Sequence, residues 1–182
     1  MFFALWPEEA ERQALAHAVR KACAGSGGRP VPAASLHVTL AFLGSVPEAA
    51  VAQLSRIARE VVPEFFGAAH PPPLCLESFV HWAKPQVLAV LAREEQRLQE
   101  LASRLRDASA AAGFAPDLKP FQAHVTVARK VVHAGAAART LHPVRWRCDA
   151  FALIDSRTEA AGPVYSVIES YPLVKDENAH GQ

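Results

Sequence analysis

Two short segments of this 182-residue chain, Leu36-His37-Val38-Thr39-Leu40 and Ala123-His124-Val125-Thr126-Val127, each set a threonine two positions after a histidine around a central valine. Threonine occurs only at positions 39, 126, 140 and 158, so half of the threonines stand in this relation to a histidine. With eight histidines in the chain, random placement gives about 0.2 such coincidences. Chance is a poor account of the pattern. Imidazole, with an unperturbed pKa of about 6.5, gives or takes a proton at neutral pH. Two of them supply the base that deprotonates an attacking water and the acid that protonates a departing oxygen. A hydroxyl beside each donates to the non-bridging oxygens of a phosphate, and a nearby arginine stabilises charge that builds there. The chemistry that uses this set is the opening of a strained cyclic phosphodiester, for which no metal is needed.

Each segment alternates with the period of a strand, so histidine and threonine share one face and the aliphatic residues take the other. Taken singly, either histidine reads as an ordinary core or surface residue; together they read as one shared site. His17, His70, His81, His133, His142 and His180 have no such context and read as structural or solvated. A metal centre built on His37 and His124 is the competing reading. No carboxylate or cysteine stands at ligand spacing around either segment, so no metal and no cofactor are expected.

The elements that must position this pair are legible as a pattern that occurs twice. Phe2 to Trp6 reads as a buried strand, ended by Pro7, and Glu8 and Glu9 suit the start of a helix running to about Cys23. Gly25-Ser26-Gly27-Gly28 breaks that helix, and Leu36 to Leu43 forms the first histidine strand. A helix opened by Ser45-Val46-Pro47-Glu48 follows, with Val51, Leu54, Ile57, Ala58 and Val61 on one face and Pro63 as its stop. The stiff run Pro71-Pro72-Pro73 marks the boundary between halves. Beyond it come a strand at Leu74 to Val80, a turn over His81 to Pro85 and a strand at Gln86 to Leu91. A helix from Arg93 to Ala112 follows, capped by Gly113, and then the second histidine strand from Gln122 to Ala128. Single strands are expected at Arg145 to Ile154 and Val164 to Ser170, and residues 175–182 form a polar tail. His37 follows Phe2 by 35 positions and His124 follows Val87 by 37. The expected fold class is α+β: one bilobal domain spanning 1–182, with pseudo-symmetric halves 1–72 and 73–174 of antiparallel sheet plus helices around a central cleft.

Composition narrows the partners. Half of the residues are hydrophobic and a fifth are charged, the balance of a folded globular protein. A formal net charge of +1 argues against general polyanion binding, which leans on a strongly basic domain. A local basic pocket is compatible with Lys119, Arg129, Lys130, Arg139, Arg145, Arg147 and Arg157, as is a merely solvated face. Cys23, Cys75 and Cys148 are odd in number and far apart, which suggests neither a disulfide framework nor a zinc knuckle. The apolar start from Met1 to Trp6 is too short for a signal peptide, and no run reaches the ~20 residues that span a bilayer. A monomeric cytoplasmic protein without membrane attachment is expected.

At the segments FFALWPEE, LHVTLAFLG, HVTVARK and DSRTEAAGPVYSVIESYPL, the chain resembles the two-histidine phosphoesterase superfamily, and within it the bacterial RNA 2',3'-cyclic phosphodiesterases, also called 2'-5' RNA ligases. The resemblance implies that an RNA end or a nucleotide bearing a 2',3'-cyclic phosphate is hydrolysed to a 2'-phosphate. It implies His37 as proton donor and His124 as proton acceptor, an assignment that chemistry alone leaves open to exchange. Thr39, Thr126 and Arg129 match its phosphate-binding positions, although strict alternation puts Arg129 on the face opposite His124. Reversible 2'-5' joining of RNA, another cyclic phosphate, and an RNA-end-binding module without turnover are the alternatives. Relatives often carry proline where this chain has Ala123 and an aromatic where it has Ala89, which leaves Phe42 and Trp82 as candidates to stack on a nucleobase.

Overall fold

The computed structural model of the protein describes residues 1–62, 73–117, 119–147, 149–159 and 162–173. In chain order they form β1 (Phe2–Leu5), α1 (Glu9–Gly25), β2 (Arg29–Pro30), β3 (Val38–Phe42), α2 (Val51–Val61), β4 (Leu74–Trp82), β5 (Val87–Ala92), α3 (Gln96–Ala111), β6 (His124–Arg129), β7 (Val144–Trp146), β8 (Ala150–Glu159) and β9 (Gly162–Pro172). Short 3-10 turns at Ala33–Ser35, Glu48–Ala50 and Ala134–Ala138 punctuate the loops. The expected stop at Pro63, the prolines at 71 and 72 and the polar tail lie outside the described residues.

Among the described residues the strands form one antiparallel nine-stranded sheet, in the order β7-β4-β5-β6-β3-β1-β8-β9, with β2 added alongside β6. The mixed α and antiparallel β class expected from the sequence is what the chain forms. The two histidine strands meet at the centre of the sheet, where Val38 pairs with Val125. Pairing on either side of that junction repeats. Phe2, Phe3, Ala4 and Leu5 face Phe42, Ala41, Thr39 and Val38, while Val87, Leu88, Ala89 and Val90 face Arg129, Ala128, Thr126 and Val125.

The two faces of the sheet have different tasks. Phe3, Leu5, Val38, Leu88, Val90 and Val125 point to one side and pack with Leu15 and Val19 of α1, Leu54 and Ile57 of α2, and Leu98, Leu101 and Leu105 of α3. Burying each such side chain contributes about 1.5–3 kcal/mol, so the helices anchor the histidine strands from behind. The other face carries a small second core of Phe2, Ala4, Ala152 and Ile154, bordered by Trp6 and Tyr165. That face holds the histidines.

Three sequence expectations change. His81 and Trp82 belong to β4 and pair with Leu88 and Val87, so the turn is confined to residues 83–86, where Gln86 adopts φ 63°. The expected strand from Arg145 to Ile154 is two strands in different places, β7 against β4 and β8 against β1. Continuous apolar alternation hides this break; Trp146, fully buried, ends β7 by donating its indole N–H to the Glu11 carbonyl of α1 at 3.0 Å. Finally, β2 was not expected at all. Its addition to β6 brings the backbone so close that a Cβ on Gly28 would lie 2.7 Å from the Arg129 carbonyl oxygen. Among the described residues, no helix is long and apolar enough to cross a membrane.

Candidate active site

The register of β5 against β6 slips by one residue between Leu88 and Ala89. Leu88 faces Ala128 and Ala89 faces Thr126, which leaves Val127 as the extra residue of a bulge. Along the regular β5, Val87, Ala89 and Leu91 share a face, and they oppose Arg129, Thr126 and His124. The bulge therefore turns Arg129 onto the histidine face, where strict alternation had placed it on the other. β3 does the same. Its slip between Phe3 and Ala4 leaves Leu40 extra and puts Phe42 on the face of Thr39. In both strands the extra residue directly follows the threonine, and Arg129 and Phe42 hold equivalent positions.

Both imidazoles are fixed in the same way. His37 Nδ1 lies 2.8 Å from the carbonyl oxygen of Ser35, and His124 Nδ1 lies 2.7 Å from that of Gln122. A carbonyl oxygen only accepts, so each Nδ1 carries the hydrogen and each Nε2 is left for other work. His37, Thr39, His124, Thr126 and Arg129 line one small cleft together with Val31, Ser35 and Tyr165. Within this cleft two neutral imidazoles, two hydroxyls and a guanidinium face the same small volume. Such a set can bind an anion of phosphate size while giving and taking protons.

The two histidines differ in their surroundings. His37 stacks on Phe2 and Trp6, with ring centroids 4.9 and 5.3 Å away, and meets Tyr165 edge-on at 5.2 Å. Burial lowers its pKa to about 4 against the opposing effect of the Ser35 carbonyl, and the charges of Arg129 and His124 lower it further. His124 meets the Trp82 ring edge-on at 4.7 Å. Its pKa is also lowered, by burial, with the Gln122 carbonyl working the other way.

Thr39 and His124 also line a second, larger hollow, which is lined as well by Phe42, Trp82 and Phe121. Phe42, 51% exposed, presents an apolar ring to this hollow. The structure thus brings His37, His124, Thr39, Thr126 and Arg129 into one cleft and Phe42 and Trp82 into its extension. Trp6, Tyr165 and the carbonyls of Ser35 and Gln122 were not singled out from the sequence. The first two lie inside segments that carried the resemblance, but nothing local in those segments points them at His37. Of the other basic residues noted above, Lys119 lines the larger hollow, while Arg147 pairs with Glu8 and Arg157 with Asp155. Among the described residues, no group of three or more His, Cys, Asp or Glu side chains gathers as a metal ion would require.

A family model described as the 2'-5' RNA ligase superfamily matches residues 6–160. The RNA 2',3'-cyclic phosphodiesterase of Thermus thermophilus is 31% identical over 192 aligned residues, covering 95% of this chain and 89% of the relative. The protein of the same name from Escherichia coli K12 is 31% identical over 135 residues, covering 74% of this chain and 73% of its own length. Among solved structures, E. coli LigT complexed with 3'-AMP matches with a TM-score of 0.75 at 26% identity, covering 96% of this chain and 97% of that one. By its sequence over most of its length and by its fold, the chain belongs to the 2'-5' RNA ligase superfamily.

Proposed function

We propose that this protein hydrolyses the 2',3'-cyclic phosphate of an RNA end or nucleotide to a 2'-phosphomonoester, using His37 and His124 as acid and base. The observation that carries this reading is the matched pair of Nδ1-anchored imidazoles lining one cleft with Thr39, Thr126 and Arg129. The names of the relatives agree with it. In the reaction, His124 takes a proton from water as the water oxygen bonds to phosphorus. The bond from phosphorus to O3' breaks, and His37, entering the reaction protonated at Nε2 as well as at Nδ1, gives the Nε2 proton to that oxygen. Thr39, Thr126 and Arg129 hold the non-bridging oxygens, where charge builds in the transition state. The single bilobal domain, with halves 1–72 and 73–174, belongs to the same proposal and is supported by the repeated pairing register.

One observation favours the exchanged assignment. His37 sits beside Arg129 in an aromatic surround that disfavours its charged form, so in the free protein it is the readier base. A substrate with sulfur in place of O3' separates the two, because a thiolate leaves without a proton. Under the first assignment that substrate restores turnover to His37→Ala and not to His124→Ala; under the exchanged one the rescue reverses.

The overall test is incubation of the purified protein with 2',3'-cyclic AMP and a cyclic-ended RNA in excess chelator, alongside His37→Ala and His124→Ala. Chelator-resistant formation of the 2'-phosphate, lost in each variant, is expected. Loss of turnover in chelator, or full activity in either variant, overturns the reading. RNA-end binding without any turnover points instead to the binding module.

A further inference from the structure

The catalytic cleft and the larger hollow meet at Thr39 and His124, which line both. A nucleoside attached to a phosphate held between the histidines has room on this side, against Phe42 and Trp82. Three cations from three separate elements line the same hollow: Lys84 from the turn between β4 and β5, Arg106 from α3, and Lys119 from the loop before β6. Asp117 is the one carboxylate among its lining residues. Lys119 donates to Asp117 at 3.1 Å, but their side chains are 84% and 41% exposed, so the pair is weak and open to exchange for another anion. Arg106 donates to Ser103 and pairs with the largely exposed Asp107. Lys84 makes no ion pair among the described residues.

Aromatic rings and cations lining one hollow suit a single nucleic-acid strand, whose bases stack on rings while its backbone follows the charge. We propose that the hollow is a single-strand track. Phe42 and Trp82 hold the terminal nucleoside, and Lys84, Arg106 and Lys119 hold the phosphate on its 5' side, so the protein distinguishes an RNA end from a free cyclic mononucleotide. This rests on the phosphodiesterase reading and adds to it a preference for chain over monomer. It also accounts for a binding surface in a protein whose net charge is only +1: the cations are gathered where one strand passes.

The test compares 2',3'-cyclic AMP with the dinucleotide ApA carrying a 2',3'-cyclic end, in wild type and in the Lys84→Ala/Lys119→Ala double variant. Wild type should show kcat/KM higher for the dinucleotide by about tenfold, the scale of one charge-assisted contact. The double variant should bring that ratio close to one, whereas Arg56→Ala, on the exposed side of α2, should leave the ratio as in wild type. The one additional phosphate also predicts a log–log salt dependence steeper by about 0.7 for the dinucleotide. Equal rates for both substrates with parallel salt slopes overturn the track while leaving hydrolysis of the mononucleotide intact. A dinucleotide preference that survives in the double variant overturns it too. If neither substrate turns over, the phosphodiesterase reading fails, and the track is then decided by titrating the two 2'-phosphate products. Tighter binding of the dinucleotide, lost in the double variant, supports the track, and equal affinities sink it.

Discussion

The imidazole of His37 lies 5.3 Å from the indole of Trp6, with the two ring planes 18° apart. Phe2 stacks on the same imidazole at 4.9 Å and 22°. Phe2 in β1 and Trp6 just past its end are four residues apart and border the same small core, and Ala4 between them is too small to compete for the space. The histidine is thereby held by rings on its flanks and by the Ser35 carbonyl at its Nδ1. Its counterpart His124 has the same carbonyl anchor and, among the described residues, meets one ring, that of Trp82, at right angles. One histidine is enclosed and the other borders the open hollow.

Enclosure has a consequence for stability. Burial lowers the His37 pKa to about 4, below the value of about 6.5 expected for an unfolded chain. Between these values the unfolded state binds more protons than the folded one, so stability rises with pH there. This contribution is fully present above pH about 6.5 and is lost as pH falls toward 4, with a ceiling of about 3 kcal/mol. Denaturant unfolding of wild type and His37→Gln across pH 4 to 7 checks it. The expected outcome is a flatter profile for the variant; parallel profiles would refute the assignment of the loss to His37.

Trp6 reports on the same contact. An imidazolium against an indole quenches its fluorescence, so Trp6 emission in a Trp82→Phe/Trp146→Phe background should fall as pH drops through about 4 and should not do so in His37→Gln. Replacing Trp6 by alanine admits water to the imidazole, which raises the His37 pKa and moves the acid limb of the kcat/KM profile to higher pH. Trp6→Phe should restore the limb. An acid limb that stays in place in Trp6→Ala would show that the indole does not govern this histidine.

How much of this could be read from the sequence depended on the range of the forces involved. The histidine strands, β1, α1 and α3 were legible because their periodicity and breaking residues are local: Gly113, for example, takes φ 90° at the end of its helix. The bulges at Leu40 and Val127 were not. They exist only in relation to β1 and β5, and in both cases the extra residue and its neighbour turn into the helical core as Leu40 with Ala41 and Val127 with Ala128. The break between β7 and β8 was hidden because apolar alternation runs through it, from Trp146 to Ala150, Ala152 and Ile154, while the two strands pair with different partners. Tyr165 reaches His37 from the far end of the chain, a contact set by the pairing of β8 with β9 and by nothing near either residue.

The bulge at Val127 also predicts how Arg129 matters. It delivers a guanidinium to the cleft from the end of β6, beyond which Lys130 adopts φ 56° and the Val131 N–H bonds to the Gln86 carbonyl at 3.0 Å. With the arm fixed in this way, Arg129→Ala should lower kcat by about 10²–10³, the scale of one lost donor to a charged transition state. Arg129→Lys should recover only part of this, because lysine restores charge without the planar fork. Thr39→Val and Thr126→Val should each cost about tenfold in kcat/KM, consistent with one hydrogen bond to a charged oxygen. Steady-state kinetics on 2',3'-cyclic AMP decide this, and an Arg129→Ala protein of undiminished kcat would remove the residue from the site.

Phe42 holds in the first half the position that Arg129 holds in the second, each turned inward by the bulge before it. The duplicated geometry thus serves two tasks: charge for the phosphate on one side and an exposed ring for the nucleoside on the other. If Phe42 only stacks on the base, Phe42→Ala should raise KM by about tenfold, within the range of base-on-ring stacking, and leave kcat within about twofold. Trp82 stands differently, because its ring touches His124. Trp82→Ala should raise KM and lower kcat together, since it removes a stacking surface and loosens the imidazole at once. The split between these two variants is the informative measurement: a fall in kcat for Phe42→Ala, or an unchanged kcat for Trp82→Ala, would show that the division between binding ring and positioning ring is drawn in the wrong place.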